Sequence, residues 1–258
     1  MYPVLFSTPW FNVYSYGLMI AVGYSLATAW ILYLAHHEDL PVETVFDLQL
    51  FQLVVGVLGS RYLYLLEYRP LISGDAAFFD FERGGLTFYG AVLSSVIFDL
   101  LYLTWKRLPF WKVMDCVGNG LLLGIAISRL GCFLNGCCFG HHTALPWGVV
   151  FAKVGPAAVH PTQVYESLGA LVLFFIAQWV WRKRSNYGQA TIFGVTSYAV
   201  LRFFIEFFRA DNPTHSFGLT LAQWISIAIV TFGIVAWKLL ASQPHLRIFP
   251  KSEPLRQG

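Results

Sequence analysis

The sequence predicts an all-α, polytopic membrane protein with about seven transmembrane helices. Hydrophobic residues make up 57% of the chain and charged residues only 12%, about half the charged share of a soluble domain. Mean hydropathy is +0.59. Apolar stretches of roughly 20 residues, long enough to cross a bilayer at 1.5 Å per residue, recur along the whole chain. Together these point to a single integral membrane domain over residues 1–258. It has an interfacial arm at 1–12, an extracytoplasmic connection at 135–161 and a mobile cytoplasmic tail at 243–258.

In chain order, Phe6, Trp10 and Phe11 lie in a segment too short to span, which suits an aromatic anchor at the membrane interface. The start has neither a basic region nor a small-residue cleavage site ahead of the first apolar run, so no cleavable signal peptide is expected. Spans are expected near 13–35, 45–68, 85–105, 112–134, 162–182, 188–208 and 220–241, separated by connections rich in breakers such as Pro109 and Asp211-Asn212-Pro213. Lys106, Arg107, Lys112, Arg182, Lys183, Arg184, Lys238, Arg247, Lys251 and Arg256 fall on one side of this arrangement. Only Arg69, Arg83, Lys153 and Arg209 fall on the other. The bias predicts N-out, C-in, with the 135–161 connection extracytoplasmic. A net charge of +3 gives no sign of a nucleic-acid partner.

Several polar groups exceed what a span needs. Arg61, Arg129 and Arg202 lie in or at the ends of apolar spans, where each costs about 2.5–3.5 kcal/mol at a helix centre. Arg61 can equally snorkel or pair with a buried acid. Tyr198, Arg202 and Glu206 are four apart and share one helix face, so Glu206 can orient Arg202. This can be a simple ion pair, although a buried pair is a poor source of stability, and a guanidinium suits phosphate. In His160-Pro161-Thr162-Gln163-Val164-Tyr165-Glu166, Pro161 fits a first helical turn that favours an anion, and Gln163 and Glu166 share a face. His160 can be a base or a satisfied interface residue. The glycines of Gly84-Gly85-Leu86-Thr87-Phe88-Tyr89-Gly90 fit close helix contact or a backbone lining a head-group site.

The stretch Arg129-Leu130-Gly131-Cys132-Phe133-Leu134-Asn135-Gly136-Cys137-Cys138-Phe139-Gly140 holds three of the four cysteines. A disulfide from Cys132 to Cys137 or Cys138 and small residues packed in a tight turn are both open. With His141, His142 and His160 nearby a zinc site is conceivable, although the spacing matches no common zinc pattern. Cys116 reads as packing.

These motifs, together with Tyr16-Gly17-Leu18-Met19, Gly59-Ser60-Arg61 and Arg202-Phe203-Phe204-Ile205-Glu206-Phe207-Phe208-Arg209, resemble in order and spacing those of the prolipoprotein diacylglyceryl transferases. The resemblance implies transfer of the diacylglyceryl group of phosphatidylglycerol to the thiol of a prolipoprotein lipobox cysteine, at the outer face of the bacterial inner membrane. Glycerol phosphate leaves, a thioether forms, and no cofactor or metal is implied. The acyl chains would sit between the spans, with membrane lipids as further partners. On this reading Arg129, Arg202, Tyr198, Glu206, His160 and Glu166 are catalytic. Tyr16, Arg61, Gly85, Tyr89, Cys132, Asn135, Cys137, Gly140 and Gln163 bind substrate.

The chain departs from the family where the family normally has asparagine (here Cys132), a carboxylate (here Cys137) and a histidine (here Tyr89). Tyrosine, with an ordinary pKa near 10, is a poor base, so His160, Glu166 or a thiolate must take the proton, or the acceptor arrives activated. The alternatives are a divergent member with another acceptor, a membrane thiol or redox protein without transferase activity, and a transporter whose Arg and Glu line a pathway.

Overall fold

The structure, a computed structural model, describes residues 4–7, 12–68, 85, 87–152, 154–210, 212, 216–243, 246 and 248. The basic residues Arg69, Arg83, Lys153, Arg247, Lys251 and Arg256, used above for orientation, lie outside the described residues. So do Trp10, Phe11 and most of the 243–258 tail.

Among the described residues seven α-helices follow in order: α1 (Ser15–His37), α2 (Val42–Tyr68), α3 (Phe88–Trp105), α4 (Phe110–Asn135), α5 (Thr162–Lys183), α6 (Gln189–Glu206) and α7 (Leu221–Ala241). Five of them, α1, α2, α4, α5 and α7, are long and apolar enough to cross a membrane, and α3 adds a shorter apolar helix over Tyr89–Trp105. The protein is a polytopic membrane protein. Helix bounds fall within a few residues of those read from the sequence. The N-terminal arm differs. Val4–Ser7 (β1) and Asn12–Tyr14 (β2) form an antiparallel hairpin, which the sequence reading did not anticipate, and Ser7 Oγ donates to Asn12 Oδ1 at 2.7 Å. Backbone pairing satisfies donors that a short polar-flanked segment cannot satisfy as a helix.

The chain divides into two compact units, residues 1–31 with 114–258, and residues 32–113. In the second, α2 and α3 pack closely through small residues. A Cβ on Gly90 would lie 2.4 Å from Gly59 O, and one on Gly59 would lie 2.9 Å from Gly90 O. Only glycine permits this approach of the two backbones. Ser60 Oγ donates to Thr87 O at 2.8 Å and Gln52 Nε2 to the buried Asp99 at 3.0 Å.

The first unit is built on α4 to α7 with most of α1. Leu122, Phe174 and Ala177 form its core, flanked by Trp30, Leu123, Leu173, Phe193 and Tyr198. The start of α6 is capped from another helix. Gly188, at φ +95°, offers no cap of its own. The fully buried Asp115 of α4 instead accepts from Gly188 N and Thr191 N, both at 2.9 Å, and from Thr191 Oγ1 at 3.0 Å. A carboxylate at a helix N-terminus meets both the orphan N–H groups and the dipole. Arg184 Nε completes the cluster at 3.0 Å from Asp115 Oδ2. At the start of α7, Thr220 and Gln223 form a reciprocal capping box.

The 135–161 connection folds onto the ends of α5 and α6. Gly140 N donates to His160 O, His160 N to His141 O, and His141 N to Phe208 O. Fully buried Phe151 packs against Phe133 and Phe139, with ring centroids 5.8 and 5.9 Å away.

Candidate active site

The site grows out of two helix faces. On α5 a spacing of three and four residues lines up Thr162, Gln163, Glu166 and Ser167, all buried. On α6 a spacing of four lines up Tyr198, Arg202 and Glu206. Glu166, fully buried, is the hub. Arg129 Nη2 from the end of α4 lies 2.9 Å from Glu166 Oε1. Tyr198 OH donates to the same oxygen at 2.5 Å, and Arg202 Nη1 approaches Glu166 Oε2 at 4.0 Å. Arg202 Nη2 lies 2.8 Å from Glu206 Oε2, so the expected pair on α6 is present.

Glu206 is itself enclosed by groups from the connection that follows α6. Thr220 Oγ1 donates to Glu206 Oε1 at 2.8 Å and Asn212 Nδ2 at 2.5 Å, while Arg209 Nε lies 3.9 Å from Oε2. Three guanidiniums thus meet two carboxylates, and the positive charge is in excess among the described residues. The Arg129 and Arg202 side chains keep 22% and 17% of their accessible surface, and the buried Arg202 Nη1 has no hydrogen-bond partner. Such a fork can donate to an anionic oxygen without first breaking a hydrogen bond of its own.

The turn after α4 is fixed from below. Gly136 and Cys138 both take left-handed backbone, at φ +72° and +63°, a conformation that costs a residue with a Cβ about 1–2 kcal/mol. Gln163 Nε2 donates to Cys137 O at 2.5 Å and Thr162 Oγ1 to Cys138 O at 2.6 Å, holding the turn in place. Gly140 is required by close approach, since a Cβ there would lie 2.3 Å from Phe208 O. All four cysteines are free thiols, so the disulfide considered from the sequence is not formed. The Sγ atoms of Cys132, Cys137 and Cys138 lie within 4.8 Å of one another. The Cys138 thiol is held below its ordinary range by hydrogen bonds from Cys132 and Cys137 and by the Arg209 guanidinium. Cys116, fully buried, is packing as expected.

Pro161 occupies the cap position of α5 rather than its first turn, one residue earlier than the sequence reading. The first-turn side chains Thr162 and Gln163 serve the cysteine carbonyls rather than an anion. His160 is half-buried, with Nδ1 3.3 Å from Tyr165 OH, which also accepts from Trp147 Nε1 at 2.8 Å. Asn135 ends α4. Tyr16 is 42% exposed at the start of α1, where its backbone meets Gly131.

Arg61, Gly85 and Tyr89 belong to the second unit. Arg61 is 2% exposed, so it does not snorkel. It donates to Gly85 O at 3.2 Å and stacks over Tyr64, 5.6 Å from the ring centroid. Tyr89 is 38% exposed.

Sequence reasoning missed Asp115, Ser167, Thr220 and Asn212, and left Arg209 out of the site. Arg209 lies beyond the end of α6, bridged to the backbone of Gly140, and its spacing of three from Glu206 was the available signal.

The sequence pattern described as prolipoprotein diacylglyceryl transferase matches residues 3–239. The chain is 32% identical over 234 residues to the protein of Finegoldia magna named phosphatidylglycerol–prolipoprotein diacylglyceryl transferase, covering 90% of this chain and 93% of that one. Proteins with the same name from Clostridium tetani (31% identity, 93% of this chain, 98% of that one) and Bordetella parapertussis (33% identity, 90% and 92%) are similarly related.

Proposed function

We propose the following reaction for this chain, which belongs to the prolipoprotein diacylglyceryl transferase family. The protein moves the diacylglyceryl group of phosphatidylglycerol onto the thiol of a prolipoprotein lipobox cysteine. The acceptor sulfur attacks the glyceryl carbon, the C–O bond to phosphate breaks, and glycerol phosphate leaves as a thioether forms. The observation that carries this reading is the convergence of Arg129 and Arg202 on buried Glu166.

Negative charge develops on the leaving phosphate, and fixed cations aimed at it lower the barrier. Arg129 and Arg202 bind that phosphate. Glu166 and Glu206 hold the two guanidiniums in orientation, and Tyr198 fixes Glu166. Because Glu166 faces Arg129, Arg202 and Tyr198 it positions rather than accepts the proton. His160, within reach of Tyr165, stands at the edge of the same region and binds substrate oxygen or receives the thiol proton. Gln163 and Gly140 shape the turn bearing Cys132, Asn135 and Cys137, which with Tyr16 contact the lipid or the acceptor. Arg61, Gly85 and Tyr89 contribute a second lipid-binding surface.

The same proposal includes seven spans, with α3 and α6 crossing alongside the five long apolar helices, in one membrane domain. The N-terminus and the 135–161 connection face outward and the tail faces inward, in the bacterial inner membrane. Reporter fusions after residues 107, 184 and 242 should all read cytoplasmic; an outward reading at any of them breaks the arrangement.

Complementation of a strain depleted of its own diacylglyceryl transferase tests the function. Growth restored by the wild-type chain and lost with Arg202→Ala is expected. Growth that is indifferent to Arg202 removes the phosphate role, and no rescue with full expression counts against the reaction. A second reading, a thiol or redox protein, is favoured by the three adjacent free thiols. Transfer retained after replacing all three by serine excludes it.

A further inference from the structure

The three free thiols cluster in the first unit, and the reaction above gives them no chemical step. We propose that Cys132, Cys137 and Cys138 are a three-thiolate zinc site whose open fourth position takes the acceptor thiol. The role of the fourth position rests on the transferase reading; the ion site itself rests on geometry.

Zinc–sulfur bonds of about 2.3 Å place tetrahedral ligand sulfurs roughly 3.8 Å apart. The three Sγ atoms already lie within 4.8 Å of one another, so contraction of about 1 Å, within the range of small side-chain rotations, closes the set. The sequence spacing conceals this. Cys132 is the last turn of α4, and left-handed backbone at Gly136 and Cys138 folds the two later cysteines back over it. Cys137 Sγ lies 3.7 Å from Cys132 O. The carbonyls of Cys137 and Cys138 are each held by a buried side chain of α5, Gln163 and Thr162. A ligand set whose backbone is fixed before metal arrives loses little entropy on binding it.

The electrostatics fit. A zinc ion with three thiolates carries one net negative charge, and two guanidiniums stand beside it. Arg129 Nη1 lies 4.0 Å from Cys132 Sγ, and Arg209 hydrogen-bonds Cys138. Cys132 is buried while Cys137 and Cys138 are partly exposed, which leaves one side of the cluster reachable. Among the described residues the ligand group holds thiols only; His141 and His142 are exposed. Three protein ligands with one open position is the arrangement of a catalytic rather than a structural zinc.

Zinc deprotonates a thiol that coordinates it. On binding, the acceptor S–H loses its proton to solvent and its sulfur becomes a zinc-bound thiolate. That sulfur then forms the bond to the glyceryl carbon as the C–O bond breaks and glycerol phosphate takes the electron pair. The neutral thioether product is a poorer ligand than a thiolate and leaves. No separate base is needed, which suits a chain with Tyr89 where its relatives are expected to carry histidine.

The test uses the full-length protein purified in detergent without chelator. Metal analysis should find one zinc per chain, lost in the variant C132S/C137S/C138S and kept in C116S. Should the triple variant fail to fold, alkylation of the wild type decides: zinc should slow modification of three thiols and a strong chelator should restore it. Cobalt(II) in place of zinc should give thiolate charge-transfer absorption that shifts with a lipobox peptide and not with its Cys→Ser counterpart. Absence of zinc with no protection of the thiols overturns the site, as does equal zinc in the triple variant. A cobalt spectrum indifferent to the peptide overturns the role of the fourth position. Transfer that persists in fully metal-stripped protein overturns this inference and leaves the transferase reading standing. A metal site that takes the peptide without any transfer does the reverse.

Discussion

The first unit contains two buried arginine–carboxylate clusters, and they are built differently. Around Asp115 every direction is closed. Its carboxylate takes three hydrogen bonds from the start of α6 and faces Arg184. Arg184 in turn donates to Trp181 O, stacks over Trp181 and Tyr187, and is 3% exposed. Around Glu166 and Glu206 the cations outnumber the acids, and two guanidiniums remain partly exposed. A closed cluster serves the fold, because nothing can reach it. The open one retains capacity for an anion.

The contrast breaks most visibly at Asp115. Asp115→Ala strands Arg184 and uncaps α6, so a stability loss of about 3–5 kcal/mol is expected, read from thermal unfolding in detergent. Turnover per folded molecule should be unchanged. A variant that is stable but inactive would place Asp115 in the chemistry. Next in size, Arg129→Ala and Arg202→Ala should each lower kcat by about 10²–10³-fold, with a smaller melting shift than Asp115→Ala. Arg202→Lys keeps the charge but not the planar fork and should recover only part of the rate; full recovery would mean that point charge alone suffices. Smallest is Thr220→Ala, which removes the α7 cap and a donor to Glu206. It should cost about 1 kcal/mol with a modest loss of turnover. No change in melting would show that the capping box is incidental.

Much of this was legible in the sequence, for a local reason. Helix bounds follow apolar length, and Tyr198, Arg202 and Glu206 share a face because four residues nearly complete a turn. Glu166 and Gln163 were found by the same rule. What stayed hidden depends on contacts between distant segments. Asp115 caps a helix that begins more than 70 residues later, and no spacing rule reaches across that distance. Asn212 and Thr220 reach Glu206 from 6 and 14 residues further along the chain, beyond the helix that carries it. The thiol cluster was seen as a composition but not as a geometry, since it depends on positive φ at a cysteine, which single-residue preferences argue against.

The central claim is that two guanidiniums, Arg129 held by Glu166 and Arg202 held by Glu206, receive the phosphate of the donor lipid. It is tested most directly by release of glycerol phosphate from head-group-labelled phosphatidylglycerol, using purified protein and a lipobox peptide. Wild type, Asp115→Ala and Arg202→Ala should be compared at equal folded concentration. Release that depends on the peptide, persists in Asp115→Ala and falls at least about 10²-fold in Arg202→Ala is the predicted result. Equal release by Arg202→Ala and wild type would contradict it.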